Sequence, residues 1–286
     1  MEFAEHRIET ADGPKIYARD YAAQAMGKLP VVCLHGLTRN SADFEAVAPK
    51  IAGLGRRVIA IDARGRGQSD IDPDPSHYRP DLYTGDVLYI MDTLEIPRAV
   101  FIGTSMGGIM TMLAALAAPD RVSAAVLNDI GAEVDPAGIK RIASYVGKSG
   151  PMANWDDMTA AVRAAQSVAF PGEDDAFWRT FTKRVARQRP DGKIEFAYDP
   201  AIANAFAAPS DAPPPSMVPL FTALATRPVL LVRGAISDLL SPDGVATMKK
   251  IKPNMDFVEV PNIGHAPTLE EPEAWDAIAA FLSKVE

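Results

Sequence analysis

The sequence predicts an α/β fold: a mostly parallel, eight-stranded sheet flanked by helices, with a helical cap inserted after the sixth strand. Three observations carry this. Apolar runs at 29–34, 57–61, 99–103, 124–127 and 228–233 read as buried strands alternating with segments of helical spacing, the pattern of a parallel sheet covered on both faces. The alternation breaks off between about Ile130 and Pro215 and then resumes. Between these halves, Val100-Phe101-Ile102-Gly103-Thr104-Ser105-Met106-Gly107-Gly108 reads as a strand that turns sharply at one serine into a helix.

Two short strands near 2–9 and 15–21 open the chain, joined by the turn signal Ala11-Asp12-Gly13-Pro14. Leu29–Leu34 is a buried strand, and Phe44, Val47, Ile51 and Leu54 give Ser41–Leu54 a helical spacing. The strand Arg57–Ile61, a polar loop and a helix near Asp81–Leu94 follow, then the strand 99–103, a helix at 106–117 and the strand Ala124–Leu127. The interrupting stretch is rich in Ala, Met and aromatic residues (Trp155, Phe170, Phe177, Trp178, Phe181) and reads as largely helical. It ends in Pro209-Ser210-Asp211-Ala212-Pro213-Pro214-Pro215, a stiff non-helical connection. Pro228–Arg233, a helix near 242–250, Phe257–Val260 and a helix at 272–284 complete the pattern. The division expected is therefore a core of 1–130 and 216–286 with a cap at 131–215; a second domain unrelated to the site is the alternative.

With 286 residues, 48% of them hydrophobic, the chain can bury one large core or two small ones. A formal charge of −8 speaks against a surface built for nucleic acid or anionic lipid. Cys33, the only cysteine, excludes an internal disulfide and a cysteine-based zinc cluster; within Val31-Val32-Cys33-Leu34 it reads as a small buried hydrophobe. The first residues show no secretory pattern, and no apolar run approaches the roughly 20 residues of a membrane span. A cytoplasmic protein is the expectation.

A serine hydroxyl is a weak nucleophile and needs a base, and the base needs an acid. Partners should come from loops at the carboxyl ends of later strands, where an open α/β sheet forms its crevice. Of four histidines, His6 lies in the first strand and His77 in a polar loop, both reading as surface residues. His35 ends a strand and reads as structural. His265, in Asn262-Ile263-Gly264-His265-Ala266-Pro267 after the last strand, is the candidate base. Asp238 and Asp129 both follow strands and either can orient the imidazole; the assignment here is Asp238, leaving Asp129 to line the pocket or hold the start of the cap. The oxyanion donors expected are the backbone N–H groups of Met106 and Leu37. Thr38, Arg39 and Asn40 should edge the pocket. Arg39 reads either as a bidentate partner for a substrate carboxylate or as a solvated surface charge.

His35-Gly36, Asp62-Ala63-Arg64-Gly65-Arg66-Gly67-Gln68-Ser69, Gly103-Thr104-Ser105-Met106-Gly107-Gly108, Ser237-Asp238 and Gly264-His265 occur in this order over nearly the whole chain. Together they resemble the α/β-hydrolase fold family. The resemblance implies a catalytic serine, acid and histidine at Ser105, Asp238 and His265. It also implies a structural role for the turn 62–69, with an Arg–Asp bridge bracing the nucleophile. Dehalogenases and epoxide hydrolases of the family carry aspartate at the nucleophile position, so Ser105 argues against both. The expected activity is carboxylic ester hydrolysis of a small to medium, partly apolar acyl substrate through an acyl-enzyme, with no cofactor and no metal. Carbon–carbon bond hydrolysis of the meta-cleavage type, cofactor-free haloperoxidase or perhydrolase chemistry, and a receptor-like module that only binds its ligand are the alternatives. The short segment after His35-Gly36 departs from the longer Gly-rich one usual in meta-cleavage hydrolases.

Overall fold

The computed structural model describes residues 2–24, 27–206 and 216–286, so the proline-rich connection expected at 209–215 lies outside the described residues. In chain order the first half runs β1 (Ala4–Glu9), β2 (Lys15–Tyr21), β3 (Val31–Leu34), α1 (Val47–Gly53), β4 (Val58–Ile61), α2 (Pro80–Thr93), β5 (Ala99–Thr104), α3 (Met106–Ala117) and β6 (Val122–Asn128). The insertion holds α4 (Pro136–Tyr145), α5 (Trp155–Gln166), α6 (Asp175–Val185), β7 (Ala186–Gln188) and β8 (Ile194–Phe196). The chain returns through α7 (Val218–Thr222), β9 (Val229–Gly234), α8 (Pro242–Ile251), β10 (Asp256–Val260) and α9 (Pro272–Lys284). Eight strands form one sheet in the order β1-β2-β4-β3-β5-β6-β9-β10. Within this sheet only the β1–β2 and β2–β4 pairs are antiparallel; its other pairings are parallel.

Side chains alternate across a strand, so a strand covered on both faces must be apolar at every position. In β3, Val31 and Cys33 join the core on one face while Val32 and Leu34 join the core on the other. Val100 and Ile102 of β5 face one way, and Phe101 the other. This explains why these strands read as unbroken apolar runs. Burial pushes the Cys33 thiol far up, leaving it an inert core group.

One expectation needs correction. The segment Ser41–Leu54 is not one helix: a 3-10 turn spans Ser41–Phe44 and α1 starts only at Val47. Pro49 lacks an N–H and its ring clashes with the carbonyl four residues back, so the helix has to restart. The insertion is largely helical, as expected, and carries in addition β7 and β8, which pair as a short antiparallel hairpin. That hairpin region locks onto the core turn at 62–69: the Gly67 N–H donates to the Ala197 carbonyl at 2.7 Å and the Asp199 N–H to the Gly65 carbonyl at 2.7 Å. Among the described residues no helix is long and apolar enough to cross a membrane.

Candidate active site

The bend between β5 and α3 forces Ser105 into a left-handed conformation, φ 51° and ψ −113°. An L side chain adopts this only when its surroundings over-determine it. Here the turn is clamped from both sides. A Cβ on Gly103 would sit 2.3 Å from the Gly107 carbonyl oxygen, and one on Gly107 would sit 2.1 Å from the Leu34 carbonyl oxygen. The two glycines therefore let α3 pack directly on β5 and β3, while the Ser105 N–H donates to the Asn128 carbonyl of β6 at 2.9 Å. The result projects Oγ from the carboxyl edge of the sheet.

His265 lies on the loop after β10, and its Nε2 is 2.8 Å from Ser105 Oγ. Its Nδ1 is 2.8 Å from Asp129 Oδ2. The acid beside the histidine is thus Asp129, not Asp238. Asp129 directly follows β6 with φ 55°, a turn that aims its carboxylate along the sheet edge toward β9 and the His265 loop. It is fully buried, and three donors satisfy it. The Gly234 N–H reaches Oδ1 at 2.9 Å and the Ser237 hydroxyl reaches Oδ2 at 2.6 Å, beside the His265 Nδ1–H. A buried carboxylate needs this many partners to stay charged.

Asp238 is committed elsewhere. It makes a two-point ion pair with Arg141 of α4, Nε to Oδ2 at 2.5 Å and Nη2 to Oδ1 at 2.9 Å. Burial raises its carboxyl, but the Arg141 guanidinium more than offsets this and holds it below the ordinary value. Asp238 therefore fastens the cap to the β9 loop. Asn40 also differs from expectation. Its Oδ1 accepts the Ala42 N–H and its Nδ2 donates to the Arg184 carbonyl at 2.7 Å. It caps the 3-10 turn and pins the end of α6, and it does not line the pocket.

Ser237 and Asn128 were missed from sequence. Ser237 Oγ donates to Asp129 and accepts the Leu239 and Leu240 N–H groups at 3.2 and 3.1 Å. Asn128 Nδ2 donates to Thr104 Oγ1 at 3.0 Å and to the Pro267 carbonyl at 2.8 Å, tying the Ser105 turn to the His265 loop. Serine or asparagine directly beside an acid at a strand end was the available signal. Ser237→Ala would strip one donor from Asp129 and orphan two N–H groups. Ester turnover should fall several-fold, with a stability loss of about 1–3 kcal/mol; kcat and a urea midpoint measured together check this.

The N–H groups of Leu37 and Met106 have no acceptor among the described residues. Leu37 lines the cavity in front of Ser105 and Met106 follows the serine at the start of α3; Arg66 touches both segments. Its buried guanidinium donates from Nε to the Leu37 carbonyl at 3.0 Å and from Nη1 to Tyr83 Oη at 2.7 Å, with Nη2 3.9 Å from Met106 Sδ. The bridge of the 62–69 turn is made by Arg64, which pairs not with Asp62 but with Asp86, Asp12 and Asp72. Asp12, Asp72 and His77 lie close enough to suggest a metal site, but the Arg64 guanidinium already bridges the two carboxylates at 2.5 and 2.8 Å.

His35 shapes the loop after β3. Its Nε2 accepts the Ala63 N–H at 2.9 Å, which leaves Nδ1–H to donate to the Gly36 carbonyl at 2.7 Å. Burial depresses its pKa to about 3. The unfolded chain takes up a proton near pH 6.5 that the folded chain refuses until about pH 3. Stability contributed by neutral His35 is thus lost as pH falls below 6.5, by up to about 1.4 kcal/mol per pH unit. Urea midpoints at pH 7 and pH 5 should separate more for the parent chain than for His35→Gln; equal separations would contradict this.

A cavity of about 40 Å³ in front of Ser105 is lined by Gly36, Leu37, Thr38, Arg39, Tyr145, Gln166 and His265, among others. A second of about 20 Å³ shares Thr38, Arg39, Tyr145 and Gln166 and extends beneath the cap to Phe181, Val185, Phe196 and Tyr198.

Residues 30–272 match the family model of the alpha/beta hydrolase fold. The chain belongs to the α/β-hydrolase fold family. A solved α/β hydrolase from Novosphingobium aromaticivorans superposes with a TM-score of 0.92 at 42% identity, covering 99% of both chains. The 3-hydroxybutyrate-oligomer hydrolase of Cupriavidus necator is 33% identical over 253 residues, 85% of this chain and 84% of the relative. The 2-(acetamidomethylene)succinate hydrolase of Mesorhizobium japonicum is 29% identical over 242 residues, 84% of this chain and 82% of the relative.

Proposed function

We propose that this α/β hydrolase is a serine carboxylic ester hydrolase acting on a small to medium, partly apolar acyl compound. The observation that carries the reading is the unbroken relay of two 2.8 Å contacts, Ser105 Oγ to His265 Nε2 and His265 Nδ1 to Asp129 Oδ2. Asp129 fixes the tautomer with the proton on Nδ1, so that Nε2 is free to accept. Oγ attacks the ester carbonyl carbon as its proton passes to Nε2, and the developing oxyanion takes the N–H groups of Leu37 and Met106. Collapse of the tetrahedral adduct breaks the acyl–oxygen bond, and the imidazolium returns the proton to the departing alcohol. Water then repeats the sequence on the acyl-enzyme: it attacks the carbonyl while His265 removes its proton, and the acid leaves as that proton returns to Oγ.

The cavities have room for only a few water molecules, each needing roughly 10–15 Å³, and Tyr145 and Gln166 of the cap line both, so an ester fits once this lining gives way. The test is a panel of p-nitrophenyl esters graded by acyl length, with a meta-cleavage product included. Ester turnover with an initial burst supports the reading. Turnover of the carbon–carbon substrate alone would replace it.

A further inference from the structure

The two cavities share one feature that acyl transfer itself does not use. Among the described residues, Arg39 is the only Arg or Lys side chain on either wall, and no carboxylate lines them. Besides Ser105 and His265 themselves, the remaining lining is apolar or aromatic, with Thr38, Thr104, Tyr145, Gln166 and Tyr198 as neutral polar groups. Arg39 is not a solvated surface charge: its side chain is 16% exposed and its guanidinium stacks 4.1 Å from the Phe181 ring centre. Nε and Nη2 both contact the same oxygen of Asp43, at 2.9 and 2.8 Å. Nη1 has no hydrogen-bond partner among the described residues.

The position relative to the nucleophile is close. A methyl group built on Gly36 would lie 3.6 Å from Arg39 Cγ and 3.7 Å from Ser105 Cβ, so the arginine stem and the serine flank the same glycine. Asp43 fixes the guanidinium, and burial pushes its carboxyl up against the lowering effect of Arg39. A cation held in a largely apolar wall, with one nitrogen lacking a partner among the described residues, is matched by an anion.

Resting on the ester-hydrolase reading, we propose that Arg39 binds a carboxylate at the far end of the acyl chain. The preferred substrates are then monoesters of short dicarboxylic acids or other acyl groups ending in carboxylate. The acyl chain runs from Ser105 along Thr38 into the cavity beneath α5 and α6, and its terminal carboxylate meets Nη1.

The experiment compares kcat/KM for mono-p-nitrophenyl glutarate with that for p-nitrophenyl valerate, in the parent chain, in Arg39→Gln with Asp43→Asn, and in Arg141→Gln. The double substitution removes both members of the pair, so no buried carboxylate is left without its partner. The parent chain should favour the glutarate ester at least 10-fold, and the double variant should lose at least 10-fold of that ratio. The preference in the parent chain tests the inference even where the double variant does not fold. Equal rates on the two esters, with Ser105 still labelled by a fluorophosphonate, would overturn the carboxylate site and leave the hydrolase intact. A preference lost only in Arg141→Gln, whose buried Nη1 also lacks a partner, would overturn the assignment to Arg39. Failure of every ester together with an unlabelled Ser105 removes the hydrolase reading, and this inference with it.

Discussion

Asp129→Asn should lower kcat for an activated ester by about 10⁴-fold, while Asp238→Asn should leave it within a few-fold. The Asp129 carboxylate accepts from three fixed donors through two oxygens. An asparagine keeps one acceptor oxygen. The Gly234 N–H is rigid backbone and claims that oxygen, which turns the new NH2 group toward His265 Nδ1 and Ser237 Oγ. Nδ1 must then act as an acceptor, the ring proton moves to Nε2, and His265 can no longer take the proton of Ser105. The imidazolium also loses the adjacent negative charge. Asp238→Asn instead weakens the tie to Arg141, so its effect should appear as looser cap packing and a changed KM. Steady-state kinetics of both variants, with circular dichroism to verify folding, separate the two outcomes. The reverse pattern would return the acid to the β9 loop.

Ser105→Ala should remove about 10⁶-fold of the turnover. Alanine at a φ of 51° keeps the strain that serine already tolerates, so the turn should survive and the loss should be chemical. His265 and the oxyanion N–H groups remain, so a residual rate above water is expected, carried by binding and electrostatics. Retained turnover near the parent rate would identify a different nucleophile.

The sheet and the serine turn were readable from sequence because their signals are local. Alternate residues of β3 and β5 serve opposite cores, which demands unbroken apolar runs. Glycines at 103 and 107 mark a close backbone approach wherever they occur beside such a turn. His265 was reachable because one loop follows the last strand. The acid was not readable in this way. β6 and β9 are neighbours in the sheet, so acids just after either strand can stand near the same histidine. The choice turned on one left-handed residue, Asp129, and on a partner supplied by the cap, Arg141. Both depend on how the insertion folds back. The β7–β8 hairpin was hidden for a related reason, since three-residue strands carry too little periodicity to register. Asn40 followed the oxyanion loop closely enough to suggest the pocket, yet its carbonyl partner on Arg184 is 144 positions away in sequence.

The central claim is that Ser105 is a nucleophile activated by His265 and Asp129. Intact-mass and peptide mass spectrometry after treatment with a fluorophosphonate tests this most directly. The account predicts one adduct per chain, located on Ser105, formed rapidly in the parent protein and slowly in Asp129→Asn. No adduct on the folded parent protein, or an adduct on another residue, would contradict it.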